Sequence, residues 1–498
     1  MRIGAQNSLK LQGLKGNYYS LILVTFSLGI ISIISGFADY PYGTDKRISF
    51  VLLVGGLSLL VFAVPSFRQI KNFDLSSPSE VFSFSFTSLL GFIAFQSVLY
   101  LASGIVNTLD VAILESTSGI TTTAISTLDP ETLPTSIHVL RSLTQWLGGL
   151  CALFMVFVAT PISSSGDNAS SAYGSKIFSR KSTKRIQEIT ALYSGFTLTV
   201  FCALVLAGMG TFDSFAHSVT TASTGGFSTR ASSIASFDSE SIEWVLICSM
   251  FLGGLNLGII WWIGKRNFKS IGSNTELRLY ALIFFSVTAL IWLKGDFVGT
   301  FDDQIRDAFF KVSSLFSTTG FINTGWEFSS GVSAIALLVL ATGGMAGSPG
   351  GGFGVHRLIE LVKYLRRELT RKYSRQAVRK IKVSGEVVNE RELDKLQGFT
   401  AIFIFIVASG SFLLALDNNS LTIKDSISTS LSAFVTAGPS ITEAGSSATF
   451  SILGNSTLTV LMIFGRLSIL PAAYMILKLL QVVRANFRNL GTTDQVES

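Results

Sequence analysis

Ser317-Thr318-Thr319-Gly320-Phe321-Ile322 is a short polar run set between two apolar stretches. Three relatives of it stand elsewhere in the chain: Thr121-Thr122-Thr123-Ala124-Ile125-Ser126, Ser223-Thr224-Gly225-Gly226-Phe227-Ser228 and Val435-Thr436-Ala437-Gly438-Pro439-Ser440. An Asp precedes the central residue (Ala124, Gly226, Gly320, Gly438) by 13 or 14 positions each time: Asp110, Asp213, Asp307 and Asp425. A glycine follows it by 23 to 27 positions: Gly148, Gly253, Gly343 and Gly465. Agreement at three registers in four places marks one unit repeated four times, and a repeat of that kind governs the reading of the rest.

The flanking stretches are apolar. Of the 498 residues 48% are hydrophobic and 14% charged, and the apolar ones cluster into runs close to the 20 or so helical residues that cross a hydrocarbon core. Ten spans are expected, near 18–36, 50–65, 82–105, 139–161, 189–209, 244–263, 277–293, 334–346, 398–416 and 458–480. The first is too long for the apolar part of a cleavable leader and is followed by Asp39 and Tyr40 instead of small residues, so it reads as a retained span. One alternating set of hydrophilic segments (the amino end, 66–81, 161–188, 264–279, 356–396 and the carboxyl tail) carries 29 of the 38 basic residues and 13 of the 31 acids. The positive-inside bias then places both termini in the cytoplasm. The opposite face is acidic, which concentrates cations. The net charge of +7 is thus a topology signal and predicts no nucleic-acid partner. Cys151, Cys202 and Cys248 lie within apolar spans and read as buried small hydrophobes. His138, His217 and His356 are scattered without metal-site spacing, so no enzyme is expected.

The physical reading of the unit starts from its Asp. A carboxylate at the amino end of a short helix satisfies free N–H groups and complements the dipole. The four Asp residues are read as helix caps, not ion ligands. Each helix is expected to run only partway through the membrane, its partly negative carboxyl end followed by non-helical Thr and Gly. Bare backbone at membrane depth survives only where it is buried in protein or lines a cavity, so the four runs are expected to converge on one aqueous axis. Carbonyls from four converging loops replace the hydration shell of a monovalent cation. Candidate ligands are Thr122, Thr123, Ala124, Thr224, Gly225, Gly226, Thr318, Thr319, Gly320, Thr436, Ala437 and Gly438, through backbone carbonyls and Thr hydroxyls. Oxygen ligands without clustered carboxylates suit a monovalent ion better than calcium or magnesium.

Two features bear on gating. The span near 334–346 runs into Gly343-Gly344-Met345-Ala346-Gly347-Ser348-Pro349-Gly350-Gly351-Gly352-Phe353-Gly354, which is incompatible with a continuous helix. Gly347, Ser348, Pro349, Gly350, Gly351 and Gly352 are the candidate gate. Arg466 is a charge inside an apolar span, a functional candidate by default, placed to oppose free cation flow and to pair with carbonyls of that loop.

Glu115 to Thr123, Gln145-Trp146-Leu147-Gly148-Gly149, Thr224 to Thr229, Thr318 to Phe321, Ala346-Gly347-Ser348 with Gly350-Gly351-Gly352, and Phe464-Gly465-Arg466-Leu467 resemble motifs of the Trk/Ktr/HKT superfamily of potassium transport proteins. Two spans ahead of the repeats are similar to its bacterial Trk-type subunit. The resemblance implies potassium uptake at the inner (plasma) membrane, and a homodimer with one pore in each protomer. It also implies a cytoplasmic nucleotide-binding regulatory subunit of the TrkA type, for which the basic segment 357–395 is a docking surface. The only ion implied is the transported one, K+ or Na+, with no organic cofactor. Ala124 stands where the family usually has Gly, and in plant relatives a Ser there accompanies sodium preference, so a sodium-permeable or weakly selective version stays open. Pro349 stands where the family loop tends to be polar, and Ser468 where many relatives have an acid.

The expected fold is an all-α polytopic membrane protein: two amino-terminal helices, then four helix, pore-loop, helix repeats around one pore in pseudo-fourfold arrangement. The expected division is 1–81 for the amino-terminal pair, 82–161 for repeat 1, 162–265 for repeat 2, 266–395 for repeat 3 with the glycine-rich loop and basic segment, and 396–498 for repeat 4 and the tail. An ion-coupled secondary transporter is the distant alternative, but inverted repeats predict two related halves and not four units of the same sense.

Overall fold

A computed structural model describes residues 2–39, 46–67, 78–159, 182–295, 299–324, 330–373, 381–383, 386–438, 440 and 449–467, and these are mostly helical. Two long helices, α1 (Arg2–Ala38) and α2 (Lys46–Phe67), open the chain and pack on each other. They come close at Gly29 and Gly56, where a Cβ on Gly56 would lie 2.8 Å from the Gly29 carbonyl oxygen. Small residues at such a crossing let backbones touch, which is how helices associate when lipid removes the hydrophobic driving force between them.

The rest follows a recurrent order of long helix, short helix, non-helical segment and second helix. The first unit holds α3 (Pro78–Ser103), α4 (Leu109–Ile120) and α5 (Thr135–Phe154), which runs on into one π-helical turn at Met155–Ala159. The second holds α6 (Ser182–Leu206), α7 (Thr211–Ala222), α8 (Glu240–Gly253) and α9 (Leu257–Gly264). After a short α10 (Phe268–Ser273), the third holds α11 (Thr275–Lys294), α12 (Phe301–Phe316), α13 (Ser330–Thr342) and α14 (Val355–Tyr373). A two-stranded antiparallel hairpin, β1 (Lys382–Val383) and β2 (Glu386–Val387), leads to the fourth, with α15 (Glu390–Asp417), α16 (Ile423–Phe434) and α17 (Ile452–Leu467).

Among the described residues seven helices are long and apolar enough to cross a membrane, and the α8–α9 pair makes an eighth. The two remaining expected spans appear as the shorter apolar helices at 331–342 and 452–467. The part of the tenth expected span beyond 467, together with Ser468, lies outside the described residues.

Two expectations are corrected: Cys151, Cys202 and Cys248, expected to be buried, are exposed on the outer faces of their helices, and one span is broken. The span expected at 244–263 is not continuous, because α8 and α9 meet at 109°. Gly253-Gly254 favours no helix interior, and Asn256 starts a new helix by accepting from the Gly258 N–H at 2.8 Å. The vacated Gly254 carbonyl accepts from the Met345 N–H of the glycine-rich loop at 2.9 Å. A partner 91 positions away therefore helps to break this helix, and the local sequence gave only a weak warning.

On the hydrophilic side of α14, Arg367 grips Glu390 through two hydrogen bonds of 2.6 and 3.1 Å. The bond from Arg367 holds the Glu390 carboxyl below its ordinary range. A depressed carboxylate contributes stability above its unfolded pKa and loses it as pH falls through the folded one. Glu390 is largely exposed, so under about 1 kcal/mol is at stake. Hydrogen exchange at 386–390 is expected to rise on acidification below about pH 4, and to lose that pH dependence in Glu390→Gln.

Candidate functional site

The four short helices end alike. Their caps are Thr121, Ser223, Ser317 and Val435. The next residue is Thr each time and sits in the left-handed region, with φ of 57° at Thr122, 52° at Thr224, 60° at Thr318 and 54° at Thr436. The following N–H reaches back five residues: Thr123 to Ser118 at 2.9 Å, Gly225 to Thr220 at 2.7 Å, Thr319 to Ser314 at 3.0 Å and Ala437 to Ser432 at 3.0 Å. This is the Schellman ending, which normally places Gly at the left-handed position. A β-branched residue there is an outlier that costs on the order of 1–3 kcal/mol. Four such outliers at one register are retained strain, a mark of function more than of folding.

Two residues further on the backbone is left-handed again, with φ of 61° at Ala124, 81° at Gly226, 81° at Gly320 and 95° at Gly438. The segments also touch. A Cβ on Gly226 would lie 1.9 Å from the Thr319 carbonyl oxygen and 3.5 Å from the Ala124 side chain. One on Gly438 would lie 3.0 Å from the Thr123 carbonyl oxygen and 3.5 Å from Gly320 Cα. The second and fourth segments each contact the first and third, so all four meet at the carboxyl ends of their helices, where the dipoles are negative. The Thr hydroxyls differ: Thr224 donates to the Ser223 carbonyl at 2.7 Å and Thr318 accepts from the Gly351 N–H at 2.9 Å. Those of Thr122 and Thr436 are buried without a hydrogen-bond partner among the described residues.

Asp110, Asp213 and Asp425 stand in the first turns of their helices as expected, and Asp307 is the one that needs correction. Asp425 does form a capping box, with Thr422. In α12 that part is played by Asp303, because the helix starts a turn earlier than expected, while Asp307 is buried and accepts from Asn323 at 2.8 Å. Asp213 accepts from Thr229 at 2.6 Å and pairs with Arg230 at 3.3 Å, and Asp110 accepts from Asn455 at 2.8 Å. In the first unit the corresponding brace is Glu115, which holds Ser126 Oγ at 2.8 Å and the Thr127 N–H at 2.7 Å and faces Arg141 at 3.6 Å. Glu115, Asp213 and Asp307 clamp the segments leaving the first, second and third loops. Apart from Ser126 their partners Thr127, Thr229 and Asn323 lie beyond the quoted runs, so spacing alone could not reveal them.

Two of the second-span glycines, Gly148 and Gly465, admit the ends of the short helices, whereas Gly343 lies against Gly351 of the glycine-rich loop. A Cβ on Gly148 would lie 2.1 Å from the Ile120 carbonyl oxygen, and one on Gly465 would lie 1.8 Å from that of Phe434. Gly465→Ala is expected to destabilise the protein by about 1–3 kcal/mol through overpacking, read as a lower melting temperature in detergent. Gly398→Ala, which meets nothing within 4 Å, is the silent control.

The glycine-rich loop lies directly against the caps. A Cβ on Gly350 would be 2.8 Å from the Ser317 carbonyl oxygen, and one on Gly351 would be 2.0 Å from that of Val435. The loop is held by Glu276, whose Oε1 accepts from the Ala346 N–H at 2.8 Å, by Asn256, which donates to the Ala346 carbonyl at 2.5 Å, and by the Leu257 N–H on Gly347 O at 3.0 Å. Arg466 donates to the Pro349 carbonyl at 2.9 Å and the Gly148 carbonyl at 2.6 Å, joining the fourth unit to the loop and to the first. Asn256 and Glu276 were not singled out from the sequence, and Gln145 only as part of a motif with no role of its own; polar side chains in or beside apolar spans were the available signal.

Apolar spans alternating with short helices whose looped ends meet at one place define a polytopic membrane protein with re-entrant segments. The chain belongs to the TrkH family of cation transport proteins, whose family model matches residues 93–482. It is 33% identical over 319 residues to the Trk system potassium uptake protein TrkH of Escherichia coli, an alignment covering 60% of this chain and 65% of that protein, just under two thirds of the relative's length. It is 30% identical over 405 residues to the protein of the same name from Halomonas elongata, covering 77% and 82%. The crystal structure of the potassium transporter TrkH from Vibrio parahaemolyticus has the same fold, with a TM-score of 0.80 at 23% identity over 93% of this chain and 98% of that one.

Proposed function

We propose that this chain is the translocating subunit of a Trk-type potassium uptake system at a bacterial inner membrane, with both termini cytoplasmic. Dehydrated K+ passes the meeting point of the four segments, coordinated by backbone oxygens of Thr122-Thr123-Ala124, Thr224-Gly225-Gly226, Thr318-Thr319-Gly320 and Thr436-Ala437-Gly438. The reading is carried by one observation, the four superimposable helix endings whose strained Thr is left-handed and whose third residues adjoin. The loop at 347–352 and Arg466 form the gate beneath them. The relatives' printed name, a potassium uptake protein, supports the ion. The protein works as a homodimer regulated by a cytoplasmic nucleotide-binding subunit of the TrkA type, which docks on the basic side of the chain.

The test is potassium and sodium uptake by cells lacking their own systems. Ala124 holds a φ of 61° that Gly adopts freely, so Ala124→Gly is expected to keep or sharpen potassium preference. Gly320→Ser, which puts a side chain at a φ of 81°, is expected to weaken it several-fold. Unchanged ion preference in both variants sinks the filter assignment. Ala124 also favours a second reading, a sodium-permeable form of the same pathway, in which native uptake rates for the two ions are within about threefold of each other and separate only in Ala124→Gly.

A further inference from the structure

Gln145, buried on α5 of the first unit, reaches across to the segment of the second. Its Nε2–H donates to the Gly225 carbonyl at 2.9 Å, and its Oε1 accepts from the Phe227 N–H at 3.2 Å. One planar amide thus matches a backbone acceptor and donor two residues apart, as a neighbouring β-strand would. Only an amide side chain carries a donor and an acceptor in that arrangement. At the equivalent position, three residues before the second-span glycine, the other units carry Met250, Leu340 and Met462, which offer neither a matching donor nor acceptor.

Gly225 is shaped to this contact. Its counterparts Thr123, Thr319 and Ala437 bear side chains, and those of Thr123 and Thr319 bond Thr121 at 2.8 Å and Ser317 at 2.7 Å. A Cβ on Gly225 would instead lie 2.3 Å from Gln145 Oε1 and 2.5 Å from its Cδ. The amide therefore occupies the space that a side chain fills in the other three segments. The Thr123 and Thr319 carbonyls face the adjacent segments, close to Gly438 and Gly226. The Gly225 carbonyl is directed toward α5.

From this pairing, and resting on the filter reading above, we infer that Gln145 is a positioning residue that sets ion preference by holding the Gly225 carbonyl out of the oxygen ring. Of the residues proposed above as the filter, Gly225 then withholds its carbonyl from the ion, and its level of the ring is one backbone oxygen short. The number and field strength of carbonyl dipoles govern discrimination between K+ and Na+, so a ring short of one dipole leaves the ion more hydrated and the preference weaker. Freeing the carbonyl restores a fourth dipole.

Two lesions release it from opposite sides: Gln145→Met, which installs the residue of the second and fourth units, and Gly225→Ala, whose Cβ displaces the amide. Each is assayed for the ratio of potassium to sodium uptake in cells lacking their own systems. The purified proteins are melted in potassium and in sodium chloride. Both variants are expected to raise the uptake ratio at least threefold and to widen the gap between the two melting temperatures in favour of potassium. An unchanged or lower ratio overturns the proposal, as does failure of both variants to fold, since the pair is then merely structural. Gly320→Ser in parallel separates the two levels: if it shifts ion preference and the Gln145 and Gly225 variants do not, the filter stands and only this inference falls.

Discussion

Gly226→Ala is expected to abolish potassium uptake while leaving the protein inserted in the membrane. The new Cβ would lie 1.9 Å from the Thr319 carbonyl oxygen, a distance no pair of heavy atoms tolerates, and the residue holds a φ of 81°. Left-handed backbone costs an L-residue roughly 1–2 kcal/mol. Relief requires the second and third segments to part, which displaces oxygens from the meeting point. Gly438→Ala is a graded comparison, since its Cβ meets the Thr123 oxygen at 3.0 Å; partial uptake is expected. Growth on limiting potassium and rubidium flux measure both. Wild-type flux through Gly226→Ala at normal membrane abundance would show that the segments do not line the path.

Arg466→Ala is expected to act in the opposite direction and raise flux. The guanidinium binds one carbonyl of the glycine-rich loop and one of α5, so the variant loses both the tie and the fixed charge. A unit charge about 10 Å from a passing cation, at an effective dielectric of about 20, opposes it by about 1.7 kcal/mol, worth on the order of tenfold in rate. Arg466→Lys keeps the charge but not the two-pronged grip, and its flux is expected to fall between those of the wild type and Arg466→Ala. Patch-clamp or tracer flux in vesicles distinguishes these outcomes from simple loss of the protein, which lowers flux in every variant.

Legibility in the sequence followed the range of the interactions. Among the described residues seven of the ten expected spans were readable as full-length apolar helices, because membrane depth imposes a length on each apolar run by itself. The Thr-Gly segments were readable through fourfold repetition, and Arg466 because a charge in an apolar span is conspicuous. The sequence singled out Thr122, Thr224, Thr318 and Thr436 for their hydroxyls, whereas their strained backbones are what the four units share. Of the four Asp residues only Asp307 was misassigned, because its helix starts a turn earlier and Asp303 forms the capping box with Thr300. Asp110 has its hydrogen-bonding partner 345 positions away.

What the sequence determined alone is the membrane-spanning helical chain, the four repeated units and the residue types at their turns, since each follows from local periodicity, spacing or transfer energy. Only the tertiary structure decided the 109° break between α8 and α9, the seating of the glycine-rich loop against the caps, and the amide of Gln145 in place of a side chain at Gly225. Those features depend on a backbone group in one unit meeting a partner in another. The hydrogen-bonding capacity of a residue is written in its type, but the partner that uses it is chosen by packing.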